Sequence, residues 1–340
     1  MEETLNVLVL ADFSDAVMDQ LKATAPRVKF TRKVAKSASE IPADVWASTD
    51  ILVTGSLLPE PEMAPRLRWI QTLSAGVDNL LKQPILAAED IILTTTSGMH
   101  ATTMAEFTFG LMLALARKIP LMLRYQAKAE WPVDRNVTLM TRELRGSTLG
   151  IIGYGSIGRE VARLAQAFGM EVLATKRDVM HPAATNEYAM PGTGDPDGTM
   201  VERMYPPEAT KSMVALCDFV VVLVPLTADS KALINQEVLS AMKKTAYLVN
   251  MARGGVIDEE ALVKALQSGQ IAGAALDVFV QEPLPPSSPL WKLDNVIISP
   301  HLGGLTNHYN ESAAEVFMEN LERYLNKRDL LNRVDREHGY

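Results

Sequence analysis

The segment Gly153-Tyr154-Gly155-Ser156-Ile157-Gly158 constrains this chain more than any other. It follows the apolar run "TLGII" and opens the helix-period stretch "REVARLAQAFG". In a strand–turn–helix setting, G-x-G-x-x-G is the signature of a dinucleotide-binding βαβ unit. The first glycine permits a tight turn, the second lets a pyrophosphate approach the backbone, and the third lets helix and strand pack closely. The helix start offers unpaired N–H groups and the positive end of a dipole. Glycines also serve ordinary tight turns, so the pattern alone is weak and the context carries it. Gly153, Gly155, Ser156, Ile157 and Gly158 are therefore expected at a cofactor.

The strand after this helix, "EVLAT", runs into Lys176-Arg177. An acid that binds the ribose 2′-hydroxyl is usual there, and it repels a 2′-phosphate. Thr175, Lys176 and Arg177 instead supply a hydroxyl and two cations, which suit a phosphate. The sequence thus favours NADP over NAD. Against this stand Asp178, two residues on, and the ordinary reading of Lys-Arg as a solvated pair.

With 340 residues the chain is long for one core and suits two domains. The net charge of -8 leaves no basic surplus for nucleic acid. The longest apolar run, "FTFGLMLALA", is about half the ~20 residues that cross a bilayer, and the acidic N-terminus lacks the basic region of a signal peptide. Cys217 is the single cysteine, so no internal disulfide forms. The expected location is the cytoplasm.

Residues 5–10, 28–32, 50–55, 67–73 and 91–96 read as strands alternating with helical stretches, hence a first parallel α/β unit. The helix at 104–118 is apolar nearly all round, which fits either a domain or subunit interface or a core. A second alternation has strands at 148–153, 171–175, 218–224, 246–250, 272–278 and 295–299. The last helical segment, 309–329, carries no nucleotide motif and is assigned back to the first unit. The expected architecture is two Rossmann-like or flavodoxin-like α/β domains with parallel sheets. The nucleotide domain (102–301) is inserted into a substrate domain (1–101 and 302–340), with hinge crossovers near 100 and 300. Residues 179–205 are rich in Pro, Gly, Asp and Thr without period. They read as a cover for the adenosine end or as a mobile surface insertion.

Three segments place chemistry at strand ends: Arg253 in "VNMARGGVID", Asp277 and Glu282 in "ALDVFVQEPLP", and His301 in "ISPHLGG". Strand carboxyl ends face the crevice of an open parallel sheet. Reduction of a 2-oxo acid needs a cation for the carboxylate, which arginine provides bidentately. It also needs an imidazole to polarise and protonate the carbonyl oxygen. A carboxylate beside that imidazole orients it and favours its charged form. Singly, each residue has a plain structural reading; jointly, beside a dinucleotide loop, they point to catalysis. His100 borders the first crossover, and His181, His308 and His338 are weaker candidates. No histidine pair has metal-ligand spacing.

In order, "ELRGSTLGIIGYGSIG", "DFVVVLVPLTADSKALIN", "LVNMARGGVIDEEALVKAL", "GAALDVFVQEPLP" and "ISPHLGG" resemble the successive signatures of the D-isomer-specific 2-hydroxyacid dehydrogenases. Sparser matches are "TLSAGVDNL" and "MAEFTFGLMLAL". The resemblance implies that Arg253, Glu282 and His301 are the catalytic trio and that the backbone of Ala75, Gly76 and Val77 holds the substrate carboxylate. It implies that Asp277 meets the nicotinamide amide and that Thr103 borders the cofactor. The expected cofactor set also takes in Pro225, Met251, Ala252 and Gly303. The implied protein is a homodimeric NAD(P)-dependent reductase of small 2-oxo acids such as glyoxylate or hydroxypyruvate. Its alternative is a dinucleotide-responsive corepressor-like scaffold on the same fold. Glu282 stands where the formate dehydrogenase branch has Gln, and the chain ends without the regulatory domain of long phosphoglycerate dehydrogenases.

Overall fold

A computed structural model describes residues 4–77, 79–184 and 186–336, so Asp78 and His338 lie outside the described residues. The chain forms two compact units. One is Met1–Met99 with Thr185–Tyr188 and Thr306–Tyr340; the other is His100–Ala184 with Ala189–Leu305. The chain passes between units after Met99, Ala184, Tyr188 and Leu305. The middle two passages, made by the 179–205 segment, add to the two foreseen near 100 and 300.

The first unit opens with β1 (Asn6–Leu10), α1 (Asp15–Thr24), β2 (Lys29–Arg32), α2 (Ala43–Ser48), β3 (Ile51–Thr54), β4 (Trp69–Thr72) and β5 (Ile92–Thr94). The strands pair in parallel in the order β2-β1-β3-β4-β5. β3 and β4 are buried throughout, as a sheet covered on both faces requires. α1 starts under a Ser14 side-chain cap on the Val17 N–H and turns Val17, Met18 and Leu21 into the core.

The second unit runs α3 (Ala101–Ala116), α4 (Ile119–Ala127), α5 (Arg135–Thr138), β6 (Thr148–Ile152), α6 (Ser156–Ala167), β7 (Glu171–Thr175) and β8 (Arg203–Tyr205). It continues α7 (Thr210–Val214), β9 (Phe219–Val222), α8 (Gln236–Ala241), β10 (Tyr247–Asn250), α9 (Glu259–Gln267), β11 (Gly273–Leu276) and β12 (Val296–Ile298). α10 (Tyr309–Leu325) then returns the chain to the first unit, where Phe317 and Leu321 join the core around Trp69.

The second sheet is also parallel, in the order β12-β11-β10-β9-β6-β7-β8. Strand order reverses between β6 and β9, and a crevice opens at the carboxyl ends of strands at such a switch point. One reading changes: residues 203–205 are a strand, not the tail of an irregular insertion, because Arg203–Tyr205 pairs with Leu173–Thr175. Of the surroundings left open for α3, the structure shows core packing on α6, β10 and β11 of its own unit.

Candidate active site

β6 delivers the glycine loop to the switch point. Gly153 takes φ 104°, and a Cβ there would lie 2.9 Å from Val224 Cγ1. A Cβ on Gly158 would lie 2.4 Å from Gly153 O, so the start of α6 rests directly on the turn. Gly155 is different: beyond the glycine and its two chain neighbours, nothing lies within 4 Å of its Cβ position. Nothing inside the protein requires a glycine there, so its missing side chain leaves backbone open to a ligand. α6 begins with no side-chain cap from Gly155, which leaves its first-turn N–H groups for an anion. A dinucleotide pyrophosphate fits this cradle, with Ser156 and Ile157 in the same first turn.

At the end of β7 and just past it the side chains do more structural work than their types announced. Thr175 is buried and its Oγ1 accepts from the Gly153 N–H at 3.2 Å, bracing the loop itself. The Lys176 ammonium donates to the carbonyls of His181 (2.5 Å), Pro182 (3.1 Å) and Ala183 (3.3 Å). Arg177 is exposed. Pro225 is exposed just past β9, and its carbonyl accepts from Ser230 Oγ at 2.5 Å. Thr103 is half-buried in the first turn of α3.

β10 ends at Asn250, whose side chain shapes the next turn: Oδ1 accepts from the Ala252 N–H (3.1 Å) and Nδ2 donates to Arg253 O (3.3 Å). Met251 and Ala252 are buried. Arg253 is half-buried, with one Nη donating to Ala252 O at 2.8 Å. The turn lies so close to the segment after β11 that a Cβ on Gly254 would sit 1.9 Å from Phe279 C.

That segment holds the acid of an acid–imidazole pair, and the turn after β12 holds the imidazole. Glu282 Oε2 lies 2.8 Å from His301 Nδ1, and Glu282 Oε1 accepts from the Phe279 N–H at 2.9 Å. Burial raises the Glu282 pKa. The ring bond from His301, the Phe279 N–H and the charges of His301 and Arg253 outweigh it and hold the carboxyl below its ordinary value. An ionised carboxylate only accepts, so His301 Nδ1 is the donor and Nε2 is left for chemistry.

His301 itself has φ 57°, a left-handed conformation that a non-glycine residue keeps only when its surroundings impose it. Asp277 imposes it. Its carbonyl accepts the His301 N–H (2.9 Å), and its carboxylate oxygens accept the N–H groups of Leu302 (2.8 Å) and Gly303 (2.9 Å). A Cβ on Gly303 would lie 2.9 Å from Asp277 Oδ2, the oxygen that accepts the Gly303 N–H, and 2.4 Å from the flexible end of Met251. Sequence reasoning missed Asn250 and the Phe279 N–H, and gave Asp277 only a ligand contact.

In the first unit, Ala75, Gly76 and Val77 follow β4. Ser74 Oγ donates to Gly76 O (2.8 Å), and Thr72 Oγ1 donates to Ser74 O (2.7 Å). His100 packs against Gly304; burial lowers its pKa, opposed by its hydrogen bond to the Gly304 backbone, which raises it. His181 pairs with Asp178 at 2.7 Å on an exposed surface, and His308 precedes α10. Among the described residues no cluster of His, Cys, Asp and Glu could hold a metal ion.

A doubly wound parallel sheet with an open glycine cradle, and a carboxylate-held imidazole on the same unit, define a nicotinamide-dependent oxidoreductase. Residues 109–303 match the NAD-binding domain of the D-isomer specific 2-hydroxyacid dehydrogenases. The chain is 35% identical over 327 residues to a glyoxylate reductase of Korarchaeum cryptofilum, covering 87% of this chain and 92% of that one. It also resembles the crystal structure of a D-isomer specific 2-hydroxyacid dehydrogenase from Xanthobacter autotrophicus in complex with NADPH and MES. That match has TM-score 0.80 and 29% identity, over 99% of this chain and 100% of the other. An NADPH-dependent glyoxylate/hydroxypyruvate reductase from Sinorhizobium meliloti, in complex with NADP and sulfate, matches with TM-score 0.76 and 25% identity, over 99% and 100%. The chain belongs to the D-isomer specific 2-hydroxyacid dehydrogenase family: it is an enzyme that interconverts 2-oxo acids and 2-hydroxy acids with a nicotinamide cofactor.

Proposed function

We propose that the protein reduces glyoxylate and hydroxypyruvate, with NADPH preferred over NADH. The observation that carries the reading is the Glu282–His301 pair at 2.8 Å on a turn held by Asp277. In this reading Arg253 and the N–H groups of Ala75, Gly76 and Val77 hold the substrate carboxylate. His301 Nε2 gives its proton to the carbonyl oxygen, while Glu282 keeps the ring oriented. The bound dinucleotide supplies the hydride. Thr103, Pro225, Met251, Ala252, Asp277 and Gly303 complete its surroundings beyond the glycine loop.

The substrate class is supported by the glyoxylate reductase relatives. The NADPH preference is supported by the absence of an acid at Lys176 and by the NADPH and NADP complexes of similar structures. Lys176 holds the carbonyls of His181, Pro182 and Ala183, and Arg177, exposed just past β7, is the cation we assign to the 2′-phosphate. We read the protein as a cytoplasmic homodimer. No helix among the described residues is long and apolar enough to cross a membrane. Leu123, Trp131, Val133 and Val137 are exposed apolar side chains, and in this reading they meet a second copy.

Steady-state rates on a panel of 2-oxo acids, with NADPH and NADH in parallel, test the assignment. Glyoxylate and hydroxypyruvate are expected to lead, with kcat/KM about tenfold or more higher for NADPH. Equal or NADH-biased rates contradict the cofactor assignment. Cofactor binding without turnover of any 2-oxo acid contradicts the enzyme reading and favours a scaffold.

A further inference from the structure

The segment between β7 and β8 buries charge on the glycine-loop helix. Arg159 and Glu160, adjacent on α6, are only 3% and 1% exposed, although charged residues on a helix next to a surface loop are normally solvated. The Arg159 guanidinium donates to Asp195 O (2.5 Å) and to Pro182 O (2.6 Å), so one side chain grips both limbs of the inserted segment. Glu160 accepts from the Gly194 N–H at 2.6 Å and pairs with Arg163 at 2.6 Å. Asp195, 2% exposed, accepts the N–H groups of Thr199 (3.0 Å) and Met200 (2.9 Å), and also the hydroxyl of Tyr154 at 2.5 Å.

Tyr154 is the residue between the first two glycines. Its N–H donates to Thr175 O at 3.1 Å, its ring lies 4.9 Å from the Arg159 guanidinium carbon, and its hydroxyl ends on Asp195. Burial, then the Asp195 bond, push the phenol pKa up, so the hydroxyl stays protonated and donates. A loop built on glycines has many shapes to choose from. This one is fixed on one side by β7 and on the other by the inserted segment.

We propose that Asp195 is a positioning residue for the dinucleotide: acting through Tyr154, it holds the glycine loop in the shape that receives the pyrophosphate. The proposal rests on reading that loop as the dinucleotide site. A preorganised loop loses less freedom on binding, so the effect falls on cofactor affinity and not on the chemical step.

Tyr154→Phe removes only the hydroxyl and leaves Asp195 on the Thr199 and Met200 amides; Asp195→Asn keeps the shape and removes the charge. The Kd for NADPH is measured by fluorescence titration, alongside glyoxylate kinetics and thermal melting. Tyr154→Phe is expected to raise Kd about five- to tenfold, with the change appearing in KM for NADPH rather than in kcat. The double variant is expected to be little worse than the weaker-binding single variant. If Asp195→Asn fails to fold, Tyr154→Phe decides alone. Lowered melting with an unchanged Kd makes the inserted segment a structural cover and overturns the proposal. Wild-type protein that binds neither NADPH nor NADH overturns the dinucleotide reading itself, a result distinct from unchanged variants of a binding wild type.

Discussion

Glu282 shows how one side chain answers two demands: it caps the Phe279 N–H with one oxygen and holds His301 with the other. Its pKa is lowered below the ordinary 4.5. A lowered carboxylate is ionised, and its pairing complete, above its unfolded value; the pairing is lost as pH falls through the folded value. Any loss of activity due to this group therefore lies below pH 4.5 in the rate–pH profile. Glu282→Gln is expected to lower kcat for glyoxylate about ten- to hundredfold and to lose that acid limb, with NADPH affinity retained. A wild-type limb above pH 4.5 that vanishes in this variant contradicts the pairing described. The sequence displayed Arg253, Glu282 and His301 because their types suit the chemistry. It did not display what Asp277 does, since its bonds run to backbone N–H groups of residues 302 and 303, about which side-chain types say nothing.

At the scale of elements, the glycine loop separates binding from folding. Gly155→Ala adds a methyl into open space, so its melting temperature is expected to match wild type. Its Kd for NADPH is expected to rise about tenfold or more, because the methyl stands where the pyrophosphate approaches. Gly158→Ala drives a Cβ to 2.4 Å from Gly153 O and is expected to cost about 1–3 kcal/mol of stability as well as affinity. Equal NADPH binding by Gly155→Ala and wild type, read by titration, removes the cradle from the account. The buried strands were legible to within a few residues, because apolar runs such as "TLGII" and "DFVVVLV" have no other role in a doubly covered sheet. β8 was not: three residues opening on an arginine, after a Pro- and Gly-rich stretch, show no period. α3 was legible as a helix but not by its surroundings, since a helix apolar all round fits a core as well as an interface.

At the scale of the molecule, two alternations of strand and helix announced two parallel sheets. The passage of Thr185–Tyr188 into the first unit had no such signal. It is held by Asn332, which donates its N–H to Asn186 O (2.9 Å) and accepts the Tyr188 N–H on its side chain (3.0 Å), contacts without periodicity. Global stability toward acid has an identifiable source in Asp218. It joins β6 through the Thr148 N–H (2.9 Å) and pairs with Lys243 (2.9 Å) and Arg142 (2.6 Å). Burial raises its pKa, but these partners together hold it below 3.8, so its contribution is present above that pH and fades as pH falls through the lower folded value. Asp218→Asn is expected to lose about 3 kcal/mol at neutral pH, a deficit that urea titrations should show shrinking below pH 3.8. A deficit constant with pH contradicts this assignment. The central claim is hydride transfer assisted by His301. Its most direct measurement is glyoxylate reduction with NADPH deuterated at the transferring position, in wild type and His301→Ala. The account predicts deuterium on C2 of the glycolate formed by wild type. It predicts a rate lower by about 10²–10⁴ in His301→Ala. Deuterium-free glycolate, or turnover by His301→Ala near the wild-type rate, contradicts it.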